Sequence, residues 1–509
     1  MTRSPRIRVL LALASGALVL TLALLPSCGG GDGGTSSGGS STGAAAAGSF
    51  EEMDFAALPD DLALAIAEVQ KVQPWEPREK AHIKGAEGSD PRDLLELEMT
   101  PELLQESYAL GSAFRVNWQK PAGNFRYMYD GTEGTWVEDD NQVRQAGSLW
   151  GISTCHRYKP TDESRAALDK GLKFWFDNTV EGPREGTLTV KYPGEDNVTS
   201  GTVALVALSI VEYLKTDEPM DEAYEAELNE KLDGYLRFLQ WLQRDNGHIA
   251  KEYRHPTKTK TNRSSPYYDG ESLLCLCKAA RELDRDWLVP TIEEAAAAMA
   301  QTYTIDSWAK DPDSKTTKGF YQWGSMSFVE YYLAQWKDYE LFGDICLSLG
   351  WWMTHAHHTL KKNRNHAYAV EGLISSWRIA NMRGDVPAQT DLLYTLDRSL
   401  HKLGSWQING PLAKNNSFLK KNPTDDPLAH GGVMNARRPS GADVKKDVSH
   451  QLRIDVTQHQ MHATTLAIEE VYVDHRGPKP AAPPESDEAA APPETVSEDT
   501  PEAAPADGA

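Results

Sequence analysis

Between about residues 50 and 476, apolar positions recur at helical spacing. "DEAYEAELNEKLDGYLRFLQWLQRDNG" (Asp221–Gly247) places them at i, i+3, i+4 and i+7 and stops at Asn-Gly. "LVPTIEEAAAAMAQTY" and "DICLSLGWWMTHAHHTL" follow the same rule. Strand-like alternation is scarce. "GNFRYMYDGTEGTWVEDD" (Gly123–Asp140) is the exception and predicts a small β-hairpin near Tyr127–Trp136.

Six segments share one plan, a polar or glycine-bearing start followed by an apolar, small-residue helix. They are "QAGSLWGIST" at Gln145, "TSGTVALVALSIVEYL" at Thr199, "YYDGESLLCLCKAARELD" at Tyr267, "YQWGSMSFVEYYLAQW" at Tyr321, "NHAYAVEGLISSWRIA" at Asn365 and "TQHQMHATTLAIEEVY" at Thr457. A more amphipathic helix follows most of them. A helix apolar all round belongs inside and an amphipathic one covers it. The expectation is an all-α fold, an (α/α)6 toroid of six helical hairpins over residues 50–476, with the small β-hairpin added.

The two ends differ from this body. Residues 1–27 have a basic start, an apolar run and small residues, as a secretory signal does. Residues 28–49 are a Gly/Ser-rich tether, and 477–509 are Pro, Ala and acid without aromatics, a composition expected to be disordered. The formal net charge of −22 argues against nucleic acid as a partner. Cys155, Cys275, Cys277 and Cys346 show no metal-ligand spacing and read as buried small hydrophobes.

In a closed ring of hairpins the ligand site is the concave mouth where the inner helices begin. The polar residues at those starts are therefore the candidates. Asn141, Arg144, Tyr268, Trp323, Arg453 and Gln458 are candidates for substrate binding. Asp269, Glu271, His366, Tyr368, Glu371, Asp455 and His459 are candidates for catalysis. Asp269 and Asp455 also suit first-turn acids that only stabilise a helix start.

Aromatics mixed with carboxylates, Arg and His suit a sugar site, because flat rings stack on pyranose faces. Glycoside hydrolysis needs two carboxylates, one protonated. A lyase or epimerase acting on a uronic acid instead needs a Tyr or His base and a cation for the carboxylate. Asp455, His459 and His462 at i, i+4 and i+7 also share a helical face that a metal could use, although Arg453 beside them opposes a bare cation. No metal or other cofactor is assigned. "HAHH", with His355, His357 and His358, reads as the exposed end of an outer helix. No Asp-rich cyclase motif occurs, and no Gly-x-Ser-x-Gly elbow occurs in the body.

Four resemblances refine these expectations. "LPSC" (Leu25–Cys28) resembles the lipobox of bacterial lipoproteins, which implies lipidation of Cys28, a membrane-anchored partner surface and an outer-membrane address in the cell envelope. "RFLQWLQRDNGHIAKEY" is similar to the repeated turn of terpenoid-cyclase-like toroids. "NQVRQAGSLWGI", "YYDGESLLCL", "AVEGLISSWRIA" and "RIDVTQHQMHAT" resemble a widespread family of bacterial toroid proteins, close in plan to six-hairpin glycosidases. "NRNHAY" resembles the Asn-His-x-Tyr motif of toroidal alginate lyases, matched by Asn365, His366 and Tyr368. Together they imply an envelope lipoprotein that hydrolyses or cleaves a polysaccharide, or one that only binds a glycan.

Overall fold

Six inner helices begin where polar residues give way to apolar runs: Gln142–Tyr158, Ser200–Leu214, Pro266–Leu283, Lys315–Ala334, His366–Arg383 and Ile454–Leu466. The computed structural model describes residues 49–76, 90–364, 366–435 and 450–473. The signal segment, Cys28, Asn365 and the tail from 477 lie outside the described residues. Asn141, Thr199 and Ser314 cap three of the inner helices by accepting first-turn backbone N–H groups.

Each inner helix packs on the next, and the sixth packs on the first, so the ring closes. Five outer helices, Asp162–Asp177, Glu222–Leu242, Val289–Tyr303, Tyr339–Trp351 and Val386–Gly404, each cover the inner helix that precedes them. The sixth outer helix, Pro101–Asn117, comes from the start of the body and covers the sixth inner helix. The two ends of the body therefore meet in one hairpin.

Patterning explains the two layers. Every residue from Ser200 to Tyr213 is buried, since this helix is apolar or small on all sides. The outer helix Val386–Gly404 buries a stripe of Leu392, Leu393, Leu396, Leu400 and Leu403. Cys155, Cys275, Cys277 and Cys346 are all buried free thiols, as their apolar settings imply.

The expected hairpin is present as β1 (Met128–Asp130) and β2 (Thr135–Val137). A third strand, Leu452–Arg453, pairs with β1 through Met128 and Tyr129. That pairing fixes the entry to the sixth inner helix. Two further small sheets were not anticipated: Thr179–Glu181 with Leu188–Val190, and Asn197–Thr199 with Glu252–Arg254 and Thr259–Lys260. Their strands are two or three residues long, too short to show alternation.

At the far ends of the inner helices, charges link neighbours around the ring. Arg157 pairs with Glu212 and Glu282, and Lys278 pairs with the same two carboxylates. Arg281 reaches Glu330, and Arg378 reaches Glu470. Above them the lumen is filled by Trp150, which packs on Trp323 at 5.5 Å and on His462 at 4.5 Å between ring centroids.

Candidate active site

The starts of the inner helices surround a cavity of about 310 Å³. That lies at the small end of the range for ligand sites. It collects Asn141, Arg144, Tyr268, Glu271, Trp323, Tyr368, Arg453, Asp455, Gln458 and His459, which are ten of the sequence candidates. Asn141 also caps the first inner helix through Arg144 N–H at 3.1 Å.

Asp455 organises one wall. Arg453 grips it with two bonds, Nε to Oδ1 at 2.5 Å and Nη2 to Oδ2 at 2.9 Å. Arg144 Nε adds a third at 3.1 Å, and Arg144 Nη1 donates to the Tyr127 hydroxyl. Burial opposes the charge of Asp455, but Arg453 and then Arg144 outweigh it and hold its pKa below the ordinary carboxylate value.

Glu271 is different. It is 4 % exposed, and its Oε2 has no hydrogen-bond partner. Burial alone pushes its pKa well above the ordinary carboxylate value, towards the protonated form. It fits because residue 201 is glycine: a Cβ there would lie 2.0 Å from Glu271 Oε2. Tyr268 beside it is pushed up to about 12 by burial and by the Glu271 carboxyl.

The third and sixth inner helices stand opposite each other in the ring, and His459 on the sixth faces Glu271 on the third across the cavity. His459 Nδ1 lies 3.1 Å from both oxygens of Glu371, and His462 Nδ1 lies 2.8 Å from Oε1. Burial raises the pKa of Glu371, but the two imidazoles outweigh this and hold it low. An ionised carboxylate only accepts, so both Nδ1 atoms carry hydrogen. With Nδ1 engaged by Glu371, Nε2 is the ring nitrogen of His459 left for the cavity, a proton acceptor in the neutral imidazole. Tyr368 packs on the His459 ring at 4.1 Å and Trp323 at 5.8 Å.

Three candidates lie elsewhere. Asp269 is fully buried away from the cavity, where it accepts from His248 Nδ1 at 2.7 Å, Ile249 N–H at 3.0 Å and the Tyr303 hydroxyl at 2.5 Å. It ties the chain after the second outer helix to the third inner one. His366 is 1 % exposed beside Trp406, outside the cavity, and burial followed by Lys402 pushes its pKa down to about 3. Glu371 is fully buried behind His459. It positions the imidazole and does not face the cavity. His462 also turns to Glu371, so the Asp455, His459 and His462 face does not converge on one point. Among the described residues no group of three or more His, Cys, Asp or Glu is placed to hold a metal ion.

The cavity has members the sequence reading passed over: Lys318, Tyr321, His357, Lys362 and Arg364. The expectation that His357 is an exposed helix end is corrected. The outer helix continues beyond Trp351 as a π-turn, Trp352–Ala356, which turns His357 inward against Trp352 and onto Asp313 at 2.5 Å.

No protein-family model matches the sequence, and no curated protein matches it significantly. Solved structures do match its architecture. A sugar epimerase from a ruminal bacterium aligns at a TM-score of 0.51 and 11 % identity, over 73 % of this chain and 99 % of that one. A D-mannose isomerase aligns at 0.51 and 13 %, over 72 % and 97 %. Cellobiose 2-epimerase from Bacillus thermoamylovorans aligns at 0.51 and 10 %, over 73 % and 98 %. The fold is the (α/α)6 toroid. At these identities the likeness carries the toroid and nothing finer.

Proposed function

We propose that this toroid is a carbohydrate-active enzyme that moves protons on a sugar ring, in the manner of a lyase or epimerase, with its site at the mouth. One observation carries the reading: His459, oriented by a buried Glu371, lines a cavity whose opposite wall holds Glu271, a carboxyl that burial pushes towards its protonated form. His459 would accept a proton from substrate and Glu271 would donate one. Arg144 and Arg453 would stabilise the negative charge that develops. Trp323 and Tyr368 offer ring faces for stacking. The similar solved proteins include enzymes named as a sugar epimerase, a mannose isomerase and a cellobiose epimerase, which supports a glycan or smaller sugar as the partner.

Hydrolysis is the second reading. Its observation is that two carboxyls with opposite shifts, Glu271 raised and Asp455 lowered, share one cavity. The three guanidinium bonds on Asp455 weigh against it as nucleophile or base.

Incubation with a glycan panel in D₂O, followed by NMR, separates the readings. The expected result is deuterium entering at a ring carbon or a new double bond, with His459→Gln lowering turnover by about 10²- to 10⁴-fold. New reducing ends without deuterium at carbon, unaffected by His459→Gln, would favour hydrolysis. Binding without turnover in every arm would make the protein a glycan-binding module. The lipobox-like Leu25–Cys28 supports placing this activity on a lipid anchor in the cell envelope.

A further inference from the structure

Resting on that reading of the mouth as a sugar site, we propose that the substrate is an acidic glycan, and that Lys318 and Lys362 form a subsite for its anionic group. The cavity wall carries five cationic side chains, Arg144, Lys318, Lys362, Arg364 and Arg453, against two carboxyl groups, Glu271 and Asp455. This excess is opposite in sign to the chain, whose formal net charge is −22. Glu271 sits beside Tyr268 against Gly201, where burial disfavours its charged form. Asp455 is already matched by Arg453 and Arg144.

The lysines lie on a different part of the wall. Lys318 is in the first turn of the fourth inner helix, and Lys362 is in the segment entering the fifth. Asp313 is the carboxylate near them, and it serves His357 at 2.5 Å and Lys362 at 3.3 Å. Lys318 is half-buried on the cavity wall and has no acidic side chain within ion-pair distance among the described residues. Burial and then the neighbouring Lys362 charge lower its pKa, whereas Asp313 raises it. Two ammonium groups that repel each other at the edge of a cavity gain from an anion placed between them. A lysine acts as a point charge, so the shared chemistry is a carboxylate or a sulfate on a sugar.

Titration calorimetry on the full chain tests this with tetrasaccharides of α-1,4- and β-1,4-linked glucose, their C6-oxidised uronate counterparts and their sulfated counterparts. The wild-type protein should bind one acidic set at least about tenfold more tightly than the matching neutral set. Which acidic set binds distinguishes carboxylate from sulfate. Lys318→Gln and Lys362→Gln should each remove about tenfold of that preference, lowering affinity for the acidic sugar far more than for the neutral one, with a shallower salt dependence. Equal wild-type affinity for acidic and neutral sets overturns the anion subsite and leaves the sugar site standing. An acidic preference that survives both lysine substitutions overturns the assignment to these residues. Failure of every sugar to bind overturns the sugar reading, and this inference with it.

Discussion

A carboxyl group kept neutral inside a protein leaves a trace in how stability follows pH. In the unfolded chain Glu271 ionises through the ordinary range near 4.5, whereas in the fold it stays protonated well above that. Above pH 4.5 the unfolded state therefore binds fewer protons than the native state, and stability falls as pH rises towards the folded pKa. Glu371 and Asp455 run the other way. Their lowered values contribute stability above the ordinary carboxylate range, which is lost as pH falls through the folded pKa. Glu271→Gln keeps the shape and removes the titration. Its Tm should match the wild-type value near pH 4 and exceed it increasingly towards pH 8, while turnover is lost. A constant Tm difference across that range would mean Glu271 ionises as easily in the fold as outside it. The same residue shows what sequence could not separate. Asp269 and Glu271 lie two residues apart near the start of one helix, and positions two apart point to different sides. Glu271 therefore enters the cavity and Asp269 enters the core. His366 and Tyr368 divide in the same way, and Glu371, nearly one turn deeper than Tyr368, lies behind the wall.

Between neighbouring inner helices, the fit depends on glycines that face large side chains. Gly201 on the second helix makes room for Glu271 and Tyr268 on the third. Gly201→Ala would drive a Cβ to 2.0 Å from Glu271 Oε2. The expected cost is about 1–3 kcal/mol of stability. A loss of turnover of about tenfold or more should accompany it as the acid is displaced. Denaturant unfolding and kinetics on the same preparation check both. Unchanged turnover alongside the stability loss would detach Glu271 from the chemistry. The six inner helices were legible because an all-round apolar run after a polar start has no other stable place. The β-sheets and the inward turn of His357 were not. They depend on strands of two or three residues and on one π-turn, and neither leaves a periodic mark. Lys318 was missed for a related reason: it precedes the apolar run by a turn and reads as solvent-facing.

For the whole molecule, the proposed lipid anchor can be tested apart from the toroid. If Cys28 carries the anchor, Cys28→Ala should move the protein from the membrane pellet to the soluble fraction and abolish fatty-acid labelling. Retention in the pellet would remove the lipoprotein proposal and leave the site untouched. The ring itself has a consequence for how the chain comes to life. Its last helix, Ile454–Leu466, closes the circle between the first and fifth inner helices, under an outer helix that begins some 350 residues earlier at Pro101. Arg453, Asp455 and His459 arrive with it. Contacts so distant in sequence form late and carry the largest loop-closure cost. Under the proposed chemistry, a nascent chain holds Glu271 but not yet His459, and the site is complete only once the sixth inner helix has closed the circle.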